Sequence, residues 1–184
     1  MTKKIIKFKN FIHLDESELL FVLEKRNSDE IRNKMTNTDI ISVEDHLKFC
    51  NSLKNDSTRL YYLIYLDDEP VGVADFQDIN NENHTYEPGM YFFSEQSNQR
   101  TYITYALGYI RCMYKLYYPF IRVRKDNPQA LFFNTMKMGA KLEREDEDFY
   151  YLSEEKIPEK DFETVIRNSP SIQNLNEKYE VVIE

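Results

Sequence analysis

The chain has 184 residues, enough to bury a core as one domain of ordinary size. Its apolar share of 41%, with 14% aromatic residues, marks a folded protein, and a formal net charge of -8 with no basic stripe excludes a nucleic-acid backbone as partner, because phosphate neutralisation needs a basic surface. No window approaches the ~20 apolar residues that span a bilayer, and Lys7, Lys9 and Asn10 interrupt the apolar positions of the first segment, so neither a membrane span nor a signal peptide is expected.

Cys50 and Cys112 have neither metal-ligand spacing nor a disulfide-framework pattern, which predicts reduced thiols, no metal site and a cytoplasmic protein. Lys4 to His13 alternates apolar and polar residues and reads as a first strand. Asp15-Glu16-Ser17-Glu18 starts a helix with Leu19, Leu20 and Leu23 on one apolar face, ending near Arg26-Asn27. After a polar bridge, Ser42 caps a second helix with Asp45 three residues on, and Val43, Leu47, Cys50 and Leu53 form its expected buried stripe. Leu60 to Leu66 and Val71 to Ile79 flank Asp67-Asp68-Glu69-Pro70 as an antiparallel hairpin, and Tyr86 to Phe93 is the third strand of the meander. Two helices followed by three such strands predict an α+β layer rather than a doubly wound sheet.

The stretch from Tyr86 to Tyr114 runs from a strand (YEPGMYFF) through a polar turn (SEQSNQR) into a helix expected over Arg100 to Tyr114, with Ile103, Leu107, Ile110 and Tyr114 at helical spacing. A polar loop entering a helix N-terminus is a place to hold a phosphate, because the first helical N–H groups lack partners and the dipole is positive there. Pro119 to Arg124 reads as a strand returning after a helical crossover, hence parallel to its predecessor, with Arg122 and Arg124 on a solvated face. Asn127 and Pro128 open a further helix that Gly139 closes, and Phe149 to Leu152 is a last strand. Beyond Ser153 the composition turns charged and polar, with a short helix over Asp161 to Arg167. The division expected is a domain over 1–153 and an appendage over 154–184.

This order of elements resembles the GNAT N-acetyltransferase family over roughly residues 4 to 153. Within it, Arg26-Asn27, Ile41-Ser42 with Glu44, His46, Leu47 and Phe49, Glu87-Pro88-Gly89-Met90-Tyr91, Lys125-Asp126-Asn127 with Ala130, and Asp148-Phe149-Tyr150-Tyr151 are similar to the small N-acetyltransferases that acylate a nucleotide-linked amino sugar on the pseudaminic acid pathway. The resemblance implies a GNAT fold: a mixed, mostly antiparallel sheet with a splayed parallel strand pair and helices on both faces. It implies acetyl-CoA as cosubstrate, lying between the strands around Met90-Tyr91 and Phe120-Arg124, with its pyrophosphate over the turn Gln96, Ser97, Asn98, Gln99, Arg100 and Thr101, and Asn127 also on the cofactor side. The implied partner is a small-molecule nucleotide-linked amino sugar; oligomeric state stays open, a homodimer included.

Two departures from the family pattern stand out. Its R/QxxGxG/A turn becomes Gln96-Ser97-Asn98-Gln99-Arg100-Thr101, without glycine, although Asn98 can adopt the left-handed conformation and Arg100 can add a charge-assisted contact. The tyrosine that protonates the departing thiolate in the family, seven positions after the helix-opening asparagine, is Asn134 here, so either another tyrosine serves, Tyr150 or Tyr91, or the thiolate leaves unassisted. Gly139 also falls one residue late, so the helix is expected to be longer or bulged.

Glu87 stands where the resembling transferases carry a glutamate and is the candidate general base, its alternative being a strand carboxylate paired with a cation. His46 points into the acceptor cleft or covers the surface, and Asp75 and Asp78 are alternative bases, Asp75 also a substrate contact. Arg26 and Asn27 contact the nucleotide phosphates or cap the first helix. The expected function is transfer of an acetyl or similar acyl group from acyl-CoA to the amine of a nucleotide-linked deoxyamino sugar. The rivals are a non-catalytic GNAT-fold binding protein, or an acetyltransferase for a protein N-terminus or polyamine.

Overall fold

A computed structural model describes residues 2–94 and 97–184, with the backbone alone of Ser97 and Asn98. In chain order its elements are β1 (Lys4–Asn10), α1 (Glu16–Asn27), α2 (Asp29–Arg32), α3 (Val43–Ser52), β2 (Leu60–Leu66), β3 (Glu69–Asn80), β4 (Thr85–Phe92) and α4 (Ser97–Tyr114). There follow β5 (Tyr118–Pro119), β6 (Ile121–Arg124), α5 (Pro128–Phe132), β7 (Lys141–Glu145), β8 (Phe149–Ser153), α6 (Glu159–Arg167), α7 (Pro170–Lys178) and β9 (Tyr179–Ile183). They make two compact units. One holds the chain as far as Phe76, the segment that begins at Gly89, and β9; the other holds Gln77–Pro88 and Ser97–Lys178.

In the first unit the strand order is β4-β3-β2-β1-β9. β1 and β2 pair antiparallel from Ile6↔Leu66 to Asn10↔Tyr62, and β2 and β3 antiparallel from Leu60↔Phe76 to Leu66↔Glu69. The β2–β3 turn needs only two residues because Asp67 accepts a positive φ of 56°, and its carboxylate then takes the Ile5 N–H at 2.9 Å. Phe11, Val22, Cys50 and Leu53 pack on Leu63 and Val73.

Local chemistry sets the helix starts. Asp15 caps α1 in a reciprocal box with Glu18, and the Ser42 hydroxyl caps α3 by accepting from the Asp45 N–H. β1 stops at Asn10 rather than His13, since the Asn10 side chain accepts from the Ile12 N–H at 3.1 Å and turns Phe11–His13 into a 3₁₀ turn. The buried face of α1 is Val22 and Leu23, with Leu20 37% exposed. In α3 the buried stripe is His46, Cys50 and Leu53, positions i, i+4 and i+7 of one face; Cys50 and Leu53 are buried as expected, while Val43 lies 51% exposed and His46 takes its place.

In the second unit α4 opens at Ser97, not Arg100, and buries Ile103, Ala106 and Ile110. The expected strand Pro119 to Arg124 divides. β5 pairs parallel with β4 at Thr85↔Tyr118 and Tyr86↔Pro119, while β6 pairs antiparallel with β8 from Ile121↔Leu152 to Arg124↔Phe149, in a second sheet of order β6-β8-β7. The parallel pair therefore splays after two residues. β7 had no signal in the sequence, because all five of its residues are exposed and the run KLERE does not alternate.

The segment after α5, Phe133–Lys137, is a turn of π-helix, which takes up one residue more than an α-turn; this is the bulge expected from the late Gly139, whose φ is +76°. The tail beyond Ser153, expected as an appendage, is folded in. Phe162, Ile172 and Leu175 are buried, a Cβ on Gly108 of α4 would come within 3.0 Å of Ile166, and β9 runs parallel to β1 from Lys4↔Tyr179 to Phe8↔Ile183. A parallel partner so distant in sequence leaves no local trace. Among the described residues no helix is long and apolar enough to cross a membrane.

Candidate active site

In the first unit the polar residues gather around the facing strands β3 and β4. Asp75 on β3 is 7% exposed, and a Cβ on Gly89 of β4 would lie 2.4 Å from its Oδ2 and 2.5 Å from its Oδ1. Gly89 is thus required by close approach of the carboxylate, the usual reason for a glycine inside a strand. Tyr61, the register partner of Asp75 on β2, flanks it, and Tyr91 follows Gly89 on the same side of β4. Burial pushes both phenols well above the ordinary tyrosine range, and the Asp75 charge adds to the rise. Met90, between Gly89 and Tyr91, is partly exposed.

Arg26, in the last turn of α1, is held down in pKa by burial, against which Tyr91 acts and to which Arg32 adds. Its Nη2 donates to the Asn37 carbonyl at 2.7 Å, and its Nη1 is buried with no hydrogen-bond partner among the described residues. Asn27 meets Ile41 as one strand meets another, donating to its carbonyl at 2.8 Å and accepting from its N–H at 3.0 Å. That clip occupies both ends of the amide and fastens the chain before α3 to the end of α1.

His46 is 6% exposed, with Nε2 2.9 Å from the Leu19 carbonyl and 3.6 Å from Cys50 Sγ. A carbonyl only accepts, so Nε2 carries the proton, and burial lowers the pKa of the ring. Its position joins α3 to α1. Burial also pushes the Cys50 thiol up to about 11, which leaves it inert near neutrality.

In the second unit Glu87 lies against Arg122, whose Nη2 and Nε donate to Oε1 at 3.0 and 3.2 Å; the guanidinium also stands 4.9 Å from the Phe149 ring centre. Arg122 lies on an exposed face, as expected, and is there the partner of Glu87, while Arg124 pairs with Asp126 at 2.5 Å. Alternation along β6 revealed which face the arginines share but not which carboxylates meet them. Asn127 caps α5 by accepting from the Ala130 N–H at 3.0 Å. Asn134 donates to the Ala130 carbonyl at 2.9 Å, a helix-holding contact where the family pattern has an acid. Tyr150 pairs with Val123 in register, packs on Ile121, Val123, Ala140 and Leu152, and lies under Lys125 Nζ at 5.4 Å.

At the α4 N-terminus, Gln99, Arg100 and Thr101 are partly exposed, and no acidic side chain stands in the first turn to offset the dipole. Gln96 and the side chains of Ser97 and Asn98 fall outside the described residues. The sequence thus missed Arg122 and Tyr61, and it named Gly89 without its purpose.

No family model matches the chain. The acetyltransferase PseH of Campylobacter jejuni subsp. jejuni serotype O:23/36 is 28% identical over 156 residues, which cover 80% of this chain and 92% of that one. The crystal structure of Campylobacter jejuni N-acetyltransferase PseH in complex with acetyl coenzyme A is similar with a TM-score of 0.67 and 26% identity, over 83% of this chain and 100% of that one. The fold is shared more widely: spermidine N-acetyltransferase from Vibrio cholerae, in complex with CoA and spermine, has a TM-score of 0.66 at 16% identity, over 87% of this chain and 98% of that one.

Proposed function

We propose that this chain, an acyl-CoA-dependent N-acetyltransferase of the GNAT fold, acetylates the amine of a nucleotide-linked deoxyamino sugar. The likeness to PseH along nearly the whole of that protein carries the reading. The residues here fit acetyl-CoA as cosubstrate. α4 has no acid in its first turn to offset the dipole at its start, and Arg100 stands in that turn, as a pyrophosphate requires. β5 ends at Pro119, so the parallel ladder stops after Tyr86, as a splayed pair requires to admit an acyl arm.

The reaction is direct attack by the amine on the thioester, without a covalent enzyme intermediate. A backbone N–H between Gly89 and Phe92 donates to the oxygen on which negative charge develops, and a fixed donor there costs no reorganisation during the reaction. Arg26, with a buried N–H that has no hydrogen-bond partner among the described residues, is the contact for the nucleotide diphosphate. Asn27 and His46 position that region through Ile41 and Leu19. Tyr150 is the acid for the departing thiolate in place of the position held by Asn134. The reaction belongs in the cytoplasm, where acyl-CoA is made.

The test is release of free CoA from acetyl-CoA in the presence of UDP- or dTDP-linked amino sugars, with spermidine and an N-terminal peptide alongside. Release with a nucleotide-linked amino sugar is expected. Release with spermidine or the peptide alone would move the acceptor to another class, and no release with any amine would overturn the reading.

A further inference from the structure

We infer that Lys178, the last residue of α7, is a cosubstrate-binding residue: its ammonium, held by Tyr102 of α4, supplies positive charge toward the pyrophosphate of acetyl-CoA, an assignment that rests on the acyl-CoA reading above. Lys178 belongs to the tail, beyond the stretch from residue 4 to residue 153 that resembles the family.

The tail lays α7 along α4. A Cβ on Gly108 would stand 3.6 Å from Ile172 Cδ1, and the Tyr109 hydroxyl donates to Asn176 Oδ1 at 2.9 Å. Lys178 Nζ donates to the Tyr102 hydroxyl and lies 4.8 Å from the centre of that ring. Residues 172, 176 and 178 thus meet 108, 109 and 102 in turn, so α7 runs back along α4 and delivers its last residue toward the α4 start. Ile172 and Leu175, both buried, fix it in that course.

Tyr102 follows the helix start at Ser97 by ~7.5 Å along the axis. Helical side chains lean toward the N-terminus and cover the turn before their own. The Tyr102 hydroxyl and the ammonium on it therefore lie over the first turn of α4, the turn proposed for the pyrophosphate. Lys178 is exposed, so its charge is open to a ligand in solvent. A lysine in the last turn of a helix favours its own carbonyl end, but that role needs no tyrosine hydroxyl on a neighbouring helix.

The same placement answers the missing glycines. Glycine lets backbone N–H groups close on a phosphate, and the turn from Gln96 to Thr101 has none. Charge acts over a longer distance than an N–H bond, so Arg100 within the turn and Lys178 over it offset a looser backbone cradle.

The experiment measures CoA binding by calorimetry, in low salt and with added salt, for the unmodified protein, Lys178→Gln, Lys178→Arg and Tyr102→Phe. Lys178→Gln is expected to raise the Kd ~3–10-fold in low salt, with a gap that closes as salt shortens the screening length. Lys178→Arg should bind as the unmodified protein does. Tyr102→Phe, which loosens the ammonium without removing it, should weaken binding less than Lys178→Gln. Ligand-free melting temperatures of Lys178→Gln and the unmodified protein should agree, which reports an unchanged fold. 3′-Dephospho-CoA keeps the pyrophosphate and should show the same Lys178→Gln deficit.

A Kd for Lys178→Gln within about twofold of the unmodified value, a deficit that salt does not change, or one that vanishes with 3′-dephospho-CoA would overturn the assignment while leaving the acetyltransferase reading in place. An unmodified protein that binds no CoA would overturn both.

Discussion

Gly89 and Asp75 face one another across neighbouring strands with no space for a methyl group: a Cβ on Gly89 would stand 2.4 Å from one oxygen of the Asp75 carboxylate and 2.5 Å from the other. Gly89→Ala must therefore displace a buried carboxylate or the strand that carries it, at a cost of about 1–3 kcal/mol. Asp75→Ala removes the obstacle. The double variant should be less destabilised than the sum of the two single changes, a coupling that urea denaturation of the four proteins would measure. Strictly additive effects would mean that the contact does not constrain the fold.

The Glu87–Arg122 pair calls for the opposite expectation. Its side chains are 24% and 35% exposed, so solvent screens them, and pairs of this kind contribute ~0.2–1 kcal/mol. Glu87→Gln and Arg122→Ala should each cost little in denaturant melts, with a coupling energy below about 1 kcal/mol. A larger coupling would show the pair to be organising the β6–β8 sheet as well as holding Glu87.

Much of the fold was legible because caps are local. Asp15, Ser42 and Asn127 each announced a helix, and each accepts the expected N–H in the structure. The late Gly139 announced a bulge, and a π-turn supplies it. What escaped depends on partners remote in sequence. Tyr179–Ile183 is a short run whose mate, β1, lies at the other end of the chain, and Lys141–Glu145 is a strand only because β8 borders it. The site divides in the same way. Gly89 stood in a recognisable segment without a reason for it, because the group that approaches it, Asp75, belongs to another strand, and Arg122 likewise meets Glu87 from outside its own element.

Arg111 should prove the most sensitive charged residue of the second unit. Its guanidinium donates to the carbonyls of Leu116 at 3.2 Å and Tyr117 at 3.1 Å, meets Glu154 at 2.9 Å, and lies over the rings of Tyr86 and Phe162 at 5.7 and 5.1 Å. Arg111→Met keeps the stem but leaves two carbonyls and a carboxylate without their donor; with the Glu154 side chain 28% exposed the pair is only partly desolvated, so the cost should be about 1–3 kcal/mol. Adding Glu154→Gln removes the stranded charge and should restore part of the loss. Denaturant melts would check this, and a cost below about 1 kcal/mol for Arg111→Met would mean that water replaces the guanidinium.

His46 makes the stability of the first unit depend on pH in a direction that its burial dictates. Burial lowers the folded-state pKa beneath the ordinary 6.5, so the unfolded chain binds the proton more readily than the native one. This contribution is fully present above the unfolded value, falls as pH drops through that value, and levels off below the folded pKa. His46→Gln cannot titrate, yet it can still present an N–H to the Leu19 carbonyl. The unmodified protein should therefore lose stability relative to His46→Gln as pH falls from about 7 to about 5. Cys50, with its thiol pushed up to about 11, does not titrate in that window, and the surface carboxylates are common to both proteins, so their effects cancel in the difference. Urea denaturation at a series of pH values gives the two curves. If they run parallel, the imidazole accepts its proton in the native state as readily as in the unfolded chain, and the contact between Nε2 and the Leu19 carbonyl does not require the neutral ring.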